Sequence, residues 1–268
     1  MKTNLHKELS KGNIASHVSE QYSPVNTQLF LQPFLERGWK VVKTQNSTSK
    51  KTGTIHRELV SLHHDDFISS HGNIELKVVN SYDARSSLKI YAGIHRLVCS
   101  NGLVMMVEGE QFRFVHRGEA IYEKLDNAYD RIVAYLDTVK LRTEKLENTT
   151  LDDTQLDNII TNIARKVFEK DTDKENRTIL SINPYTLKNI KRVRRNADKG
   201  DDAFTLLNVV QENITRKGNL SAMVSITNKE TKETRVEYKS KNRTENRNFV
   251  NDIKLNQIIV EEFLKEVA

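Results

Sequence analysis

The hydrophobic period changes once, near residue 118, and that break decides the fold class. Before it, short apolar runs alternate with turn residues: Trp39–Thr44, Thr54–Leu62, Ile74–Val79, Ser87–Ile94, Leu103–Val107 and Gln111–Val115. Lys50-Lys51-Thr52-Gly53 and Glu108-Gly109-Glu110 read as hairpin tips between them. Tight tips join antiparallel neighbours, so these runs predict a mainly antiparallel sheet. After the break, Ile121, Leu125, Ala128, Ile132, Tyr135, Val139 and Leu146 recur at helical spacing and predict an amphipathic helix over 118–147. Further helices are expected over 151–168, opened by Asp152 and Asp153, over 201–216, closed by Gly218, and over 253–267. Another is expected to start after Pro184 and run through a basic stretch to Asn196, with 171–176 a loop before it. Ahead of the sheet a short helix from Thr27 closes at Gly38, with Pro33 arguing for a kink or two short turns.

The expected class is α+β: a mainly antiparallel sheet in the N-terminal half packed with long helices from the C-terminal half. Residues 1–20 read as a flexible arm, 21–117 as the sheet region, and 118–268 as a helical region on the same domain. The segment 227–248 is almost wholly polar and reads as a charged, flexible loop or a long hairpin.

Several functions leave local patterns, and those patterns are missing. The chain has no P-loop, no G-x-G-x-x-G fingerprint, no G-x-S-x-G elbow and no H-E-x-x-H. One cysteine, Cys99, permits neither an internal disulfide nor a zinc site built on two or four thiolates. No apolar run approaches the roughly 20 residues of a membrane helix, and no signal core follows Met1, so a soluble, intracellular protein is expected. The 42 Lys+Arg against 36 Asp+Glu lean toward anionic partners, with nucleic acid first.

The segment Arg96-Leu97-Val98-Cys99-Ser100-Asn101-Gly102 is the most distinctive. Asn-Gly is a tight-turn pair between two apolar strands, which makes Cys99 a small core residue. The competing reading, a nucleophilic thiol, needs an activating base, and His95 is the nearest histidine in sequence. Arg96, Val98, Cys99, Ser100, Asn101 and Gly102, with the run Val79-Asn80-Ser81-Tyr82-Asp83, resemble a family of phage- and plasmid-encoded proteins of unknown function. The stretch from Ala203 to Asn213 echoes a helix of that family, and the resemblance spans about 25 to 260. It implies a phage or mobile-element origin and hence the cytoplasm of an infected bacterial host. The sheet-then-helix layout is similar to that of single-strand annealing and whirly-type proteins.

Two sets of cations fit a nucleic-acid ligand. On a continuous helix Lys188, Lys191, Arg192 and Arg195 share one stripe, with no acid before Asp198. Such a stripe repels itself unless an anion lies against it, and phosphate is the natural anion. On the strands, Arg113 and Arg117 lie opposite in parity to Phe112 and Phe114, and Arg85 and Lys89 lie on the preceding ladder. Phe112 and Phe114 are expected in the core, leaving Arg85, Lys89, Arg113 and Arg117 to contact phosphates. His56, His63, His64, Asp65, Asp66 and His71 form the most metal-like group, but their spacing fits no standard ligand pattern. The expected function is therefore binding of single-stranded RNA or DNA with little sequence preference, by a possible homo-oligomer, without enzyme chemistry, cofactor or metal. The alternative is a protein-binding protein such as an inhibitor of a host defence system.

Overall fold

The computed structural model describes residues 22, 25–48, 55–69, 72–82, 86–95, 102–105, 112–116, 120–215, 218–241 and 249–268. The arm over 1–20, Arg85, Cys99 and Arg117 lie outside the described residues. The fold is α+β, and the chain divides into two compact units, 1–140 and 141–268.

The N-terminal unit opens with α1 (Thr27–Glu36), capped by Asn26, whose side chain accepts from the backbone N–H groups of Gln28 and Leu29. Pro33 sits inside this one continuous helix, which is not divided into two short turns. Gly38, at a φ of +91°, ends it while Trp39 N–H returns to the Phe34 carbonyl. Six strands follow: β1 (Lys40–Thr48), β2 (Ile55–Ser69), β3 (Gly72–Ser81), β4 (Leu88–His95), β5 (Gly102–Met105) and β6 (Phe112–Phe114). They form one antiparallel sheet in the order β1-β2-β3-β4-β5, with β6 also on β4. Gly102 of the expected Asn101-Gly102 turn is the first residue of β5, where it pairs with His95; 96–101 lie outside the described residues.

Strand parity gives the sheet two unlike faces. One carries Leu62, Ile74, Leu76, Val78, Leu88, Ile90, Phe112 and Phe114, all buried. Phe30 of α1 meets Phe114 edge-on at 5.4 Å, and Phe112 meets Tyr135 of α2 (Ala120–Glu147) at 5.8 Å. Phe112 and Phe114 are thus core, as their alternation with exposed Arg113 implies. The Asn80-Ser81-Tyr82 run ties α1 down. Asn80 Nδ2 donates to the Val25 carbonyl and to Thr27 Oγ1, both at 2.9 Å. Thr27 Oγ1 lies 2.5 Å from the Tyr82 hydroxyl, which donates to Glu58 at 2.6 Å.

The C-terminal unit is less helical than expected. It holds α3 (Asp153–Phe168), α4 (Pro184–Ile190), α5 (Ala203–Thr215) and α6 (Phe249–Glu266), and also a second antiparallel sheet. That sheet has β7 (Lys170–Asp171), β8 (Glu175–Ser181), β9 (Ser221–Asn228) and β10 (Thr234–Ser240), in the order β10-β9-β8-β7. Ala222, Val224 and Ile226 point inward against Phe168, Ile179 and Ile182, so alternation beats the polar composition here. The 171–176 loop is a β7–β8 connection with strand residues at both ends. The flexible segment set at 227–248 is ordered through Ser240 as the β9–β10 hairpin, the hairpin form of that expectation; 242–248 lie outside the described residues. Helix α3 is held at its start by a capping box between Asp152 and Gln155.

Candidate nucleic-acid interface

The basic stripe of 188–195 does not exist as one helix face. Helix α4 ends at Ile190, Lys191 is its C-cap, and Arg195 is extended. The cause is α5, which is buried on nearly all sides yet carries Glu212 and Asn213. Asn213 Nδ2 lies within 3.0 Å of the carbonyls of Ile190, Arg192 and Val209. Its Oδ1 accepts from Arg194 Nε at 2.7 Å. These bonds capture the carbonyls that a continuing helix would use, and the chain leaves the helix there.

Two of the four stripe cations are answered within the chain. Lys191 Nζ sits 2.9 Å from both Asp153 and Asp157. Burial works to lower its pKa, but hydrogen bonds to those two carboxylates outweigh it and leave the pKa raised. Arg195 meets Glu212 at 2.6 Å and Asp198 at 3.8 Å. The anion that the sequence demanded is thus supplied for these two by the chain's own carboxylates, Glu212 and Asp198 buried and Asp153 exposed. Lys188 and Arg192 remain exposed.

The other face of the N-terminal sheet gathers cations instead. Register places its residues in rungs across the strands. One rung runs Lys43–Ser61–Lys77–Tyr91, a second Leu59–Val79–Lys89–Arg113, and a third Ser47–Arg57–Ser81. A fourth runs Lys40–His63–Glu75. The described rungs thus bring Lys40, Lys43, Arg57, Lys77, Lys89 and Arg113 to one face, where Glu75 meets Lys77 and Asp65 meets Lys40.

These cations differ in access. Lys77 is 6% exposed, and its Nζ lies 3.3 Å from Glu75 and 3.4 Å from Ser61 Oγ. Burial lowers its pKa against the opposing pull of Glu75. Tyr91 beside it is buried, which raises its hydroxyl pKa. Lys40 is held by Asp65 at 2.6 Å, and that hydrogen bond holds the Asp65 carboxyl below its usual range. The rim is left to Lys43 and Arg113, exposed, with Arg57 and Lys89 half-buried. Arg113 Nε donates to Ser87 Oγ at 2.9 Å, and register sets Arg113 directly opposite Lys89. Lys89 and Arg113, two residues singled out from sequence, therefore meet. Lys43 and Arg57 were missed; cross-strand register was needed to add them.

The histidine group is dispersed. Strand β2 continues past the expected end at Leu62 through His63-His64-Asp65-Asp66, with a register shift between His63 and Ile68. Successive residues point to opposite faces, so His63 joins the polar rungs while His64 meets the Arg37 carbonyl and lies tilted against the Trp39 ring. The side chains of His56 and His71 lie outside the described residues. Among the described residues no three His, Cys, Asp or Glu side chains converge as a metal site would require.

No described helix is long and apolar enough to cross a membrane. No solved structure matches the chain. Among curated proteins it is similar to UPF0380 protein YafZ of Escherichia coli (strain K12), 22% identical over 202 residues, covering 75% of this chain and 70% of YafZ. It is also similar to UPF0380 protein YfjQ of the same organism, 24% identical over 144 residues, or 54% of this chain and 49% of YfjQ. The chain thus spans about half the length of YfjQ. A family model matches residues 15–250, and the chain belongs to the family described as Domain of unknown function (DUF932).

Proposed function

We propose that this protein binds single-stranded nucleic acid, RNA or DNA, with little sequence preference, through the polar face of its N-terminal sheet. The observation that supports the reading is the cross-strand pair of Lys89 and Arg113, with Lys43 and Arg57 on neighbouring rungs. Cations gathered on one sheet face supply the positive charge that a strand of phosphates laid across it would take. The chemistry is phosphate neutralisation. Base stacking plays the smaller part, because Phe112, Phe114, Tyr82 and Tyr91 are all buried. Lys188 and Arg192 form a second, weaker set. The phage or mobile-element source, and with it the cytoplasm of an infected host, is supported by the resemblance at Arg96–Gly102 alone.

Binding of labelled single- and double-stranded DNA and RNA, followed over a salt series, tests this. Replacing Lys43, Lys89 and Arg113 by Ala together should flatten the log K against log salt slope by about 2, at about 0.7 per phosphate contact on a single strand. Replacing Lys191 and Arg195 should leave the slope unchanged, because both are held by carboxylates. No binding to any of the four ligands at low salt overturns the reading.

A further inference from the structure

Strand β10 is the outer strand of the second sheet, and its sequence, Glu233-Thr234-Arg235-Val236-Glu237-Tyr238-Lys239, alternates charge with a two-fold pattern. Reading outward from Val236, each acid on one side has a base at the same distance on the other: Glu237 answers Arg235, and Lys239 answers Glu233. We infer that this edge pairs with the same edge of a second copy of the chain, antiparallel, with Val236 opposite Val236 on the two-fold axis.

The backbone has the required phase. Asn228 N–H donates to the Glu233 carbonyl and Lys241 N–H to the Leu220 carbonyl, so the odd-numbered residues of this segment bond back to β9. In an antiparallel strand the bonding direction alternates, so Thr234, Val236 and Tyr238 aim their N–H and C=O groups outward. With Val236 on the axis, Val236 exchanges two backbone hydrogen bonds with its counterpart, and Thr234 and Tyr238 exchange two more on each side.

Side chains choose this register over its neighbours. Arg235 then faces the second copy's Glu237, and Lys239 faces the second copy's Glu233. A slip that moves the axis to Glu237 sets Glu237 against itself and Arg235 against Lys239. A slip to Arg235 sets Arg235 against itself and Glu233 against Glu237. Like charges directly opposite are unfavourable, so only the Val236 axis pairs every charge with its opposite. Within one chain Glu237 already touches Arg235 at 2.6 Å and also Lys239, so the carboxylate sits between the two cations that define the pattern. On the other face Val236 and Tyr238 are 55% and 59% exposed and lie beside Met223, 44% exposed. Natural edges are protected by charge against indiscriminate pairing, and here the same charges select one partner.

Light scattering and sedimentation of the full chain, with no nucleic acid present, test this separately from the proposed function. The parent should dimerise with rising concentration. A variant with Arg235→Glu and Lys239→Glu has an all-acidic edge, and one with Glu233→Lys and Glu237→Lys an all-basic edge. Each alone should lose roughly tenfold or more in self-affinity, and an equimolar mixture should dimerise again. Adding Val236→Pro to either should abolish that rescue, with circular dichroism checking the fold. A parent that stays monomeric, a single-sign variant that dimerises like the parent, or a mixture that stays monomeric overturns the inference.

Discussion

The cations of 188–195 and the cations on the N-terminal sheet look alike in composition but differ in what answers their charge. In the C-terminal segment three of the cations are met from within, while Lys188 and Arg192 stay exposed. Lys191 takes Asp153 and Asp157, Arg195 takes Glu212 and Asp198, and Arg194 takes Asn213. On the sheet, register sets Arg113 against Lys89 and puts Lys43 and Arg57 on nearby rungs, with Glu75 turned to the buried Lys77. A dense basic run in sequence is thus a strap across a buried helix, and cations scattered over seventy residues become a surface. Charge density along the chain measures neither; the three-dimensional placement of carboxylates does.

The comparison breaks first at Asn213. If the basic segment is a structural strap, Asn213→Ala should cost about 3 kcal/mol. The loss leaves the Ile190 and Arg192 carbonyls short of a donor and Arg194 short of an acceptor in a half-buried setting. Urea unfolding checks this. An unchanged midpoint would return 188–195 to the status of a free basic surface.

The two units should also separate in acid. His116 in the N-terminal unit is 4% exposed and stacks on Tyr22 at 5.4 Å, and burial lowers its pKa to about 4. The unfolded chain protonates this ring near its ordinary 6.5, so stability is full above pH 6.5 and falls as pH drops toward 4. The loss amounts to at most about 3 kcal/mol. In the C-terminal unit the loss from Glu262 begins only at lower pH. Burial works to raise its pKa, but Lys166 and Lys265 outweigh it and hold it below 4.5, so its contribution persists until pH falls below 4.5. Trp39, the chain's one tryptophan, reports on the N-terminal unit. Its fluorescence midpoint in urea should fall between pH 6.5 and 4.5, and His116→Phe should remove most of that slope.

Fold class was legible because period is a local property. The long helix came within two residues of Ala120–Glu147, and the six N-terminal strands were found in order. The second sheet was not legible. Its inward residues Ala222, Val224 and Ile226 alternate with Met223 and Ser225, and its partner strand β10 carries only Val236 and Tyr238 among polar residues, so little apolar signal marked the pair. The helix end at Ile190 was hidden for another reason: the groups that stop it come from Asn213, 23 residues further on. The polar triplet Gln211-Glu212-Asn213 inside a mainly apolar helix was the available signal, since buried amides and carboxylates must find partners. At the sheet site, parity separated Arg113 from its phenylalanines, but the rungs that add Lys43 and Arg57 depend on register, which pattern alone does not set across long connections.

The smallest expected effect is the sharpest test of the comparison. Arg113→Ala removes an exposed guanidinium that donates one hydrogen bond to Ser87 and faces Lys89 across the strands. An exposed hydrogen bond of this kind contributes about 0.5 kcal/mol, and relief of a like-charge opposition returns about as much. The net change in unfolding free energy should therefore stay within about 0.5 kcal/mol of zero, in contrast to the loss at Asn213. High salt should move the same way, since screening weakens Arg113–Lys89 repulsion in the parent and has nothing to weaken in the variant. The parent should gain stability slightly more than Arg113→Ala between low and moderate salt. A loss approaching 2 kcal/mol would mean that Arg113 is bound into the fold as firmly as Arg195, and the sheet face would no longer stand apart from the strap.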